Sequence, residues 1–318
     1  MIPTFKSRWA AELTAFARFK NALGQPYARP LLALLSFDRF AASLAWRHST
    51  DMAAILTGWL TKYTHRKPVT IATYVGIIRA FCQFRRRYDP DAFIPDRSWA
   101  PQSATSNFLP HVFSDREIRL IIAETSRIHG SSRTRRCYRL LVTVLYCTGL
   151  RIGEALRIRR KDLNLRKACF RVGPSKGRIR WVPFHRDLAS KVRCWLTEDC
   201  SAFTHPDAFV FADKDGRPWQ IKNVSHNLRM LLRRCGLKPA AGRVGPRLHD
   251  LRHTMAVHRL RRWYRERRDL HRMLPWLSAY LGHRNLLGTE RYLHATPELL
   301  AIAGRRLQRQ LRLAPAPA

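Results

Sequence analysis

Five side chains in this sequence have the chemistry that metal-free attack on a phosphodiester requires. A guanidinium stays charged at any working pH and matches two phosphate oxygens at once. An imidazole can donate to a non-bridging oxygen or move a proton near neutral pH, and a tyrosine oxygen can act as a covalent nucleophile. The five residues are Arg151, His249, Arg252, His283 and Tyr292. Together they predict an enzyme that cuts and rejoins DNA through a phosphotyrosine.

The first arginine of the set, Arg151, follows a turn at Gly149 and begins a predicted helix. Glu154 stands three residues on, about one helical turn away, where it can orient or cap that turn. An R-x-x-E pair is typical of surface ion pairs, but a charge in apolar surroundings needs a partner, and a phosphate would serve. The apolar residues around this pair are Leu145, Leu150, Ile152 and Leu156.

His249 and Arg252 are three residues apart, so on a helix they share one face. His253 and His258 follow on the same predicted helix and are interpreted as structural or solvated. His249 and His253 also form an H-x-x-x-H pair, which is a zinc-binding spacing. The metalloprotease pattern needs a glutamate after the first histidine, however, and Asp250 stands there instead. We therefore expect no metal and no cofactor.

Two tyrosines near the carboxyl end are candidates for the nucleophile. Tyr292 lies nine residues after His283, in the segment TERYLH. Tyr280 lies in the apolar helical stretch WLSAYL, which suits core packing better. Tyr292 is therefore the predicted nucleophile.

Residues 168–184 alternate apolar and polar side chains around a central Pro-Ser-Lys-Gly turn. This pattern predicts a β-hairpin with Lys176 at its tip. Lysine can donate a proton where arginine cannot, which makes Lys176 a candidate acid. The alternative interpretation is a solvated turn lysine.

The charge balance of the 318-residue chain is strongly basic, with 59 Lys and Arg against 22 Asp and Glu and a net charge of +37. Such an excess favours fast, salt-sensitive binding to a polyanion. A GC-rich coding sequence would produce the same arginine bias, and an acidic membrane surface is another possible partner. Basic residues run through the whole chain, however, without flanking one apolar anchor. Double-stranded DNA is therefore the predicted partner.

The seven cysteines are scattered and include no C-x-x-C pair. An odd, scattered set is typical of reduced intracellular thiols. No stretch approaches the ~18 apolar residues of a membrane span, and the first residues lack an apolar signal core. These observations predict a cytoplasmic, chromosome-associated protein.

Hydrophobic periodicity predicts two domains. Residues 1–95 contain four stretches with helical spacing, which predict a helical DNA-binding bundle with a cationic surface. Residues 96–112 lack periodicity and have a linker composition. Residues 113–318 form the second predicted domain, which opens with a capping-box spacing at Ser114 and Glu117 and closes with an amphipathic helix. The predicted fold class is mainly α with a small antiparallel β-sheet.

Further helices are predicted within the second domain. One carries YRLLVTVLYCTG and ends at Gly149, and another begins with IGEALRIR. Three more are expected at about 222–236, 250–267 and 273–282.

Five segments, in the order TGLRIGEAL, SKGRIRWVPF, HDLRHT, LGH and TERYLH, resemble the tyrosine site-specific recombinases of the phage-integrase superfamily. The resemblance covers about residues 111–300. The amino-terminal bundle is similar to the family's core-binding domain in length and helical character only. Segments such as RLHDLRHTMAVHRL look most like recombinases carried by bacterial mobile elements. The resemblance implies a helical core-binding domain followed by an α+β catalytic domain.

The resemblance also implies a role for each residue of the set. Tyr292 would be the nucleophile, and Arg151 with Arg252 would clamp the scissile phosphate. His249 would assist as acid or base and as a phosphate ligand, and His283 would hydrogen-bond the phosphate.

Two further residues take roles from the same resemblance. Lys176 would protonate the leaving 5′-hydroxyl, and Glu154 would be a supporting residue. The segment around Lys176 is short compared with the family's usual turn. A tyrosine ester conserves the energy of the phosphodiester, so rejoining would need neither ATP nor a metal.

Recombination requires several protomers on two duplexes, so the resemblance implies a tetramer on two DNA sites, formed by this chain alone or together with other recombinase subunits. The amphipathic segment after Tyr292 would pack either on its own domain or on a neighbouring protomer. One alternative function is relaxation of supercoils by a single subunit, as in a type IB topoisomerase. Another is a non-catalytic DNA-binding relative. Integration, transposition and resolution are not distinguished by the sequence.

Overall fold

The structure is a computed structural model. It describes residues 2–24, 27–44, 51–101, 110–173, 179–200, 204–242, 244–283 and 285–290, together with residues 292 and 304. The chain divides into two compact units, Met1–Phe108 and Leu109–Ala318. Within the described residues no helix combines the length and the apolar character of a membrane span.

The described part of the first unit contains four α-helices, at the places where hydrophobic spacing predicts them. They are α1 (Ala10–Ala22), α2 (Ala28–Ser43), α3 (Met52–Thr61) and α4 (Pro68–Arg85). Their inward faces share one core centred on aromatic rings such as Phe37 and Trp59. Buried Asp38 accepts hydrogen bonds from the backbone amides of Lys6 at 2.8 Å and Ser7 at 2.9 Å, so it fastens the first residues to α2. A short 3₁₀ helix, Arg97–Trp99, follows α4.

The second unit contains eight further α-helices among its described residues. They are α5 (Asp115–Glu124), α6 (Ser132–Thr148), α7 (Ile152–Ala155), α8 (Arg186–Cys194), α9 (Ile221–Arg234), α10 (Asp250–Arg265), α11 (Leu270–Leu281) and α12 (Leu287–Glu290). Three single turns accompany them: Thr125–Arg127, Arg160–Asp162 and Trp195–Asp199.

A small antiparallel sheet of three strands completes this unit. The strands are β1 (Leu163–Asn164), β2 (Cys169–Val172) and β3 (Arg180–Pro183), in the order β1-β2-β3. Strands β2 and β3 pair Cys169 with Pro183 and Val172 with Arg180, which confirms the predicted hairpin. Its tip, including Lys176, lies outside the described residues. The fold is therefore mainly α with a small antiparallel sheet.

Two helix ends that the sequence predicts are confirmed by the structure. The Ser114 hydroxyl accepts from the amide of Glu117, whose carboxylate accepts from the amide of Ser114, so the capping box of α5 is complete. Helix α6 ends at Gly149, which has the left-handed φ of 62° that glycine adopts without strain.

Two predicted helices differ from the structure in extent. The helix expected from IGEALRIR is only the single turn α7, because the next residues bond to a distant segment. The amide of Val210 donates to the carbonyl of Ile158, and Arg159 forms a β-bridge with Phe209. Helix α11 begins at Leu270, earlier than expected, because the Asp269 side chain caps its first amides.

Most of α10 is buried, which is unusual for a helix so rich in polar residues. Every residue from 250 to 257 is inaccessible or nearly so. The hydroxyl of Thr254 joins two segments inside this core: it accepts from the amide of Phe113 at 3.0 Å and donates to the carbonyl of Asp250 at 2.8 Å. The helix therefore presents its functional side chains from a rigid position. Apart from Gly304, the predicted amphipathic helix after Tyr292 lies outside the described residues.

Candidate active site

Arg151 occupies the N-cap position of α7, directly after the turn at Gly149. Glu154 caps this turn as the sequence predicts. Its carboxylate accepts from the amide of Arg151 at 3.0 Å and from the Arg151 guanidinium at 2.8 Å. The arginine also lies 3.5 Å from the carbonyl oxygen of Gly282. The side chain of Arg151 is therefore held from two directions.

Arg180 is a second cation on Glu154, and sequence reasoning did not single it out. Its Nη2 lies 2.9 Å from Oε2 of Glu154 and its Nη1 lies 3.2 Å from Oε1, while its Nε donates to the carbonyl of Tyr280 at 2.9 Å. The alternation of the strand could have indicated Arg180, because it lies two residues before the buried Val182 and therefore on the same face of β3. An arginine on the inward face of a strand needs an anionic partner.

The carboxylate of Glu154 is ionised although it is only 3% exposed. Burial alone would raise the pKa of Glu154, but the hydrogen bonds and charges of Arg180 and Arg151 lower it to about 2. One negative charge is thus shared between two guanidiniums, and the cluster keeps an excess of positive charge.

Arg252 is almost completely buried, with 2% of its surface exposed. Its Nη1 donates to the carbonyl of Gly149 at 2.8 Å, and its Nη2 donates to the carbonyl of Leu281 at 2.7 Å. These carbonyls end α6 and α11, and helix ends carry unsatisfied carbonyls with partial negative charge. Burial, then repulsion from Arg151, lowers the pKa of Arg252 to about 10. The guanidinium is therefore still charged at neutral pH.

Two glycines with left-handed backbones make this close packing possible. Gly149 has φ +62°, and a Cβ there would lie 2.3 Å from Cε of Met255. Gly282 has φ +69°, and a Cβ there would lie 2.7 Å from Nη1 of Arg180. A larger residue would displace Met255 at the first position or Arg180 at the second.

Tyr292 lies in an aromatic cluster with three histidines and is 1% exposed. Its ring centre is 5.3 Å from that of His253 and 6.0 Å from that of His283. His249 packs edge-on against His253, with ring centres 4.8 Å apart. Tyr292 is also close enough to Arg252 to affect the pKa of that guanidinium. His253 was interpreted from sequence as structural or solvated, and the structure places it between His249 and Tyr292.

His283 is held by a residue that the sequence did not point out. Its Nδ1 lies 2.7 Å from the hydroxyl oxygen of Thr289. Burial, then the charges of Arg252 and Arg151, lowers the pKa of His283 to about 4. The imidazole is therefore neutral at physiological pH, with one ring nitrogen already occupied.

The structure thus brings five predicted residues and Glu154 into one region of the second unit. Tyr280, the competing tyrosine, is used differently: its hydroxyl donates to the carbonyl of Pro183 at 2.9 Å, and burial raises its pKa to about 12. Lys176 cannot be placed, because it lies outside the described residues. Across the described residues no three His, Cys, Asp or Glu side chains are grouped to hold a metal.

The chain is similar to known proteins in sequence and in fold. Residues 112–298 match the sequence model of the Phage integrase family. The integrase/recombinase y4rE of Sinorhizobium fredii is 30% identical over 308 residues, covering 92% of this chain and 97% of that protein. The tyrosine recombinase XerC of Staphylococcus carnosus is 26% identical over 234 residues, covering 74% of this chain and 73% of that protein.

Two solved structures share the fold. The XerH site-specific recombinase, bound to a palindromic difH substrate after cleavage, has a TM-score of 0.65 at 20% identity, covering 87% of this chain and 78% of that chain. The Tn1549 transposon integrase, in complex with a circular intermediate DNA, has a TM-score of 0.63 at 16% identity, covering 93% of this chain and 99% of that chain.

Proposed function

Since the chain belongs to the phage integrase family of tyrosine recombinases, we propose that it recombines double-stranded DNA through a 3′-phosphotyrosine intermediate. The reaction needs neither a metal nor ATP. The observation that carries this proposal is the position of Tyr292, whose ring centre lies 5.3 Å from that of His253 and 6.0 Å from that of His283.

The chemical step is a transesterification at phosphorus. The phenol oxygen of Tyr292 attacks the scissile phosphate, a tyrosine ester forms at the 3′ end, and the bond to the 5′ oxygen breaks. His249 takes the proton of the phenol, and Lys176 gives a proton to the leaving 5′-hydroxyl. Rejoining reverses these transfers with a 5′-hydroxyl from the other duplex.

The arginines stabilise the charge that builds up on the non-bridging oxygens during attack. Arg151 and Arg252 are fixed before DNA arrives, by Glu154 and by the ends of two helices. Preorganised donors in a water-poor site act most strongly on a transition state, because they do not need to reorient. A bound phosphate would neutralise the excess positive charge that remains around Glu154.

His283 completes the phosphate site as a neutral donor. Its Nδ1 already faces Thr289, so Nε2 is the nitrogen left for a phosphate oxygen. Tyr292 is so deeply buried that this part of the chain must open before its oxygen can reach a phosphorus atom.

We also propose a domain arrangement and a biological setting. Residues 1–95 would be a helical DNA-binding domain and residues 113–318 the catalytic domain, joined by the linker at 96–112. Four protomers would act on two DNA sites in the cytoplasm, at the chromosome. The relative from Sinorhizobium fredii is named an integrase/recombinase, which supports a role in integration, transposition or resolution of a mobile element.

The test begins with a DNA site selected from a random duplex library by binding to the Tyr292→Phe variant. A nicked copy of that site should trap the wild-type protein as a covalent adduct that survives SDS. Tyr292→Phe should bind the DNA and form no adduct, and Tyr280→Phe, the same change at the competing tyrosine, should keep the adduct.

The alternatives give different results in the same experiments. Absence of a wild-type adduct at saturated binding would favour a non-catalytic DNA-binding relative. Relaxation of plasmids without strand exchange between two short duplexes would favour the topoisomerase-like activity. An adduct that persists in Tyr292→Phe would assign the nucleophile to another residue.

A further inference from the structure

The chain between His283 and Tyr292 folds back so that one residue contacts both. Thr289 has 0% of its surface exposed. Its hydroxyl oxygen lies 2.7 Å from Nδ1 of His283, and its carbonyl oxygen accepts the amide of Tyr292 at 3.0 Å. One buried threonine therefore connects the expected phosphate donor with the expected nucleophile.

We propose that Thr289 is a positioning residue, whose hydroxyl donates to Nδ1 of His283 and fixes the tautomer with the proton on Nε2. This inference rests on the proposed function, in which Nε2 of His283 donates to the scissile phosphate. The carbonyl of Thr289 holds the backbone of Tyr292 at the same time.

The direction of the hydrogen bond follows from what each atom can do. A neutral imidazole has one nitrogen that donates and one that accepts. An ionised phosphate oxygen only accepts, so the nitrogen facing it must carry the proton. Nδ1 is then the acceptor, and the hydroxyl of Thr289, which can rotate, supplies the donor.

The neutral state of His283 depends on the groups around it. Burial has the largest effect on its pKa, followed by the charges of Arg252, Arg151, His249 and Arg180. All of these disfavour protonation, so the imidazole is present as one of its two neutral tautomers. Without a donor at Nδ1, both tautomers would be populated.

The backbone at Gly288 packs against the Nδ1 edge of the His283 ring. A Cβ built at Gly288 would lie 3.2 Å from Cγ and 3.3 Å from Nδ1 of the imidazole, so the backbone already covers this edge of the ring. The amide of Thr289 donates to the carbonyl of Leu286 at 2.7 Å, which fixes the turn that brings its hydroxyl into place. Because Thr289 is inaccessible, water cannot replace its hydroxyl.

Two substitutions separate the hydroxyl from the shape of the side chain. Thr289→Val keeps the shape and removes the hydroxyl, whereas Thr289→Ser keeps the hydroxyl. The matched control is Thr125→Val, because Thr125 is also inaccessible and its hydroxyl donates to the carbonyl of Ile122 in the same unit. The readouts are the dissociation constant for the selected duplex and the single-turnover rate of adduct formation at saturating protein.

Thr289→Val should slow adduct formation by up to about 100-fold, the effect of a small misplacement in a preorganised site, while the dissociation constant is unchanged. Thr289→Ser and Thr125→Val should react at nearly the wild-type rate. A wild-type rate for Thr289→Val overturns the proposal. Equal slowing of the valine and serine variants also overturns it, because the side chain would then act through packing.

A second measurement does not depend on catalysis or on the folding of a variant. In the full-length wild-type protein with ¹⁵N-labelled histidine, Nδ1 of His283 should show the chemical shift of an unprotonated nitrogen, with the signal assigned by its loss in His283→Gln. A proton on Nδ1 in the wild type contradicts the proposed hydrogen bond. If the wild type forms no adduct, the proposed function fails, and the tautomer still decides the role of Thr289.

Discussion

Arg180 and Glu154 form a two-point ion pair inside the second unit, with Nη2–Oε2 at 2.9 Å and Nη1–Oε1 at 3.2 Å. The pair links β3 to the turn that carries Arg151. Arg180 also donates to the carbonyl of Tyr280 near the end of α11. One side chain therefore connects the sheet with the turn that carries Arg151 and with the helix end that holds Arg252.

Replacement of Arg180 by methionine should destabilise the second unit strongly. The side chains of Arg180 and Glu154 are only 12% and 1% exposed, and removal of one partner of a buried pair typically costs about 3–5 kcal/mol. The loss should lie toward the lower end of that range, because Arg151 still compensates part of the Glu154 charge. Urea denaturation measures this loss.

The matched control is Arg262→Met, which breaks an ion pair with Glu266 on an exposed surface. Surface pairs contribute little to stability, so this variant should unfold almost like the wild type. Equal losses from Arg180→Met and Arg262→Met would contradict a structural role for the buried pair.

Glu154 should also give the second unit a specific pH dependence. Its pKa falls from 4.5 to about 2 on folding, so the unfolded chain takes up the proton first as the pH decreases. The stabilisation from the carboxylate is therefore complete above about pH 4.5 and is lost progressively toward pH 2.

The variant Glu154→Gln has no charge to lose at this position. The difference in unfolding free energy between wild type and this variant should be largest near neutral pH and should decrease below about pH 4.5, when urea denaturation is repeated from pH 7 to pH 3. A difference that stays constant over this range would show that the ion pair does not lower the pKa of Glu154.

Local features of this fold could be predicted from sequence, because their causes lie within a few residues. The capping box at Ser114 and the left-handed helix end at Gly149 are of this kind. The apolar stretch around Tyr280 and the resemblance to a known family both favour Tyr292 as the nucleophile, and the structure places its ring centre 6.0 Å from that of His283.

Features that depend on distant contacts could not be predicted in the same way. The partner of Glu154 lies on a strand 26 positions away, and the carbonyl that holds Arg252 is 103 positions away. The helix predicted after Arg151 is longer than the observed one, because a backbone hydrogen bond between Val210 and Ile158 ends it. Hydrophobic periodicity carries no information about such a distant bond.

Gly149 should tolerate no side chain, for two separable reasons. Its left-handed backbone disfavours an L-residue by about 1–2 kcal/mol, and a Cβ would press on Met255 at 2.3 Å. Gly149→Ala should therefore lower stability by more than the backbone cost alone. It should also slow adduct formation, because the carbonyl of Gly149 holds Arg252.

Gly236→Ala provides the matched control for the backbone term. Gly236 has a similar φ of +69°, and nothing lies within 4 Å of a Cβ at that position. This variant should show the backbone cost in urea denaturation while its rate of adduct formation stays at the wild-type value. If both alanine variants lose the same stability and react at the same rate, the contact with Met255 has no effect.

Replacement of Arg252 by lysine tests whether the charge or the forked shape of this side chain matters. The guanidinium spans the ends of α6 and α11 through two nitrogens, to Gly149 at 2.8 Å and to Leu281 at 2.7 Å. An ammonium keeps the charge but is a single point, so it cannot hold both carbonyls and bind a phosphate in the same geometry.

Arg252→Lys should therefore slow adduct formation by about 10²–10³-fold, as the loss of one preorganised donor does, while the selected duplex still binds. Arg262→Lys, on the exposed side of the same helix, should react like the wild type. A single-turnover rate for Arg252→Lys close to the wild-type value would mean that positive charge alone suffices here. The two carbonyl contacts would then serve the fold and not the reaction.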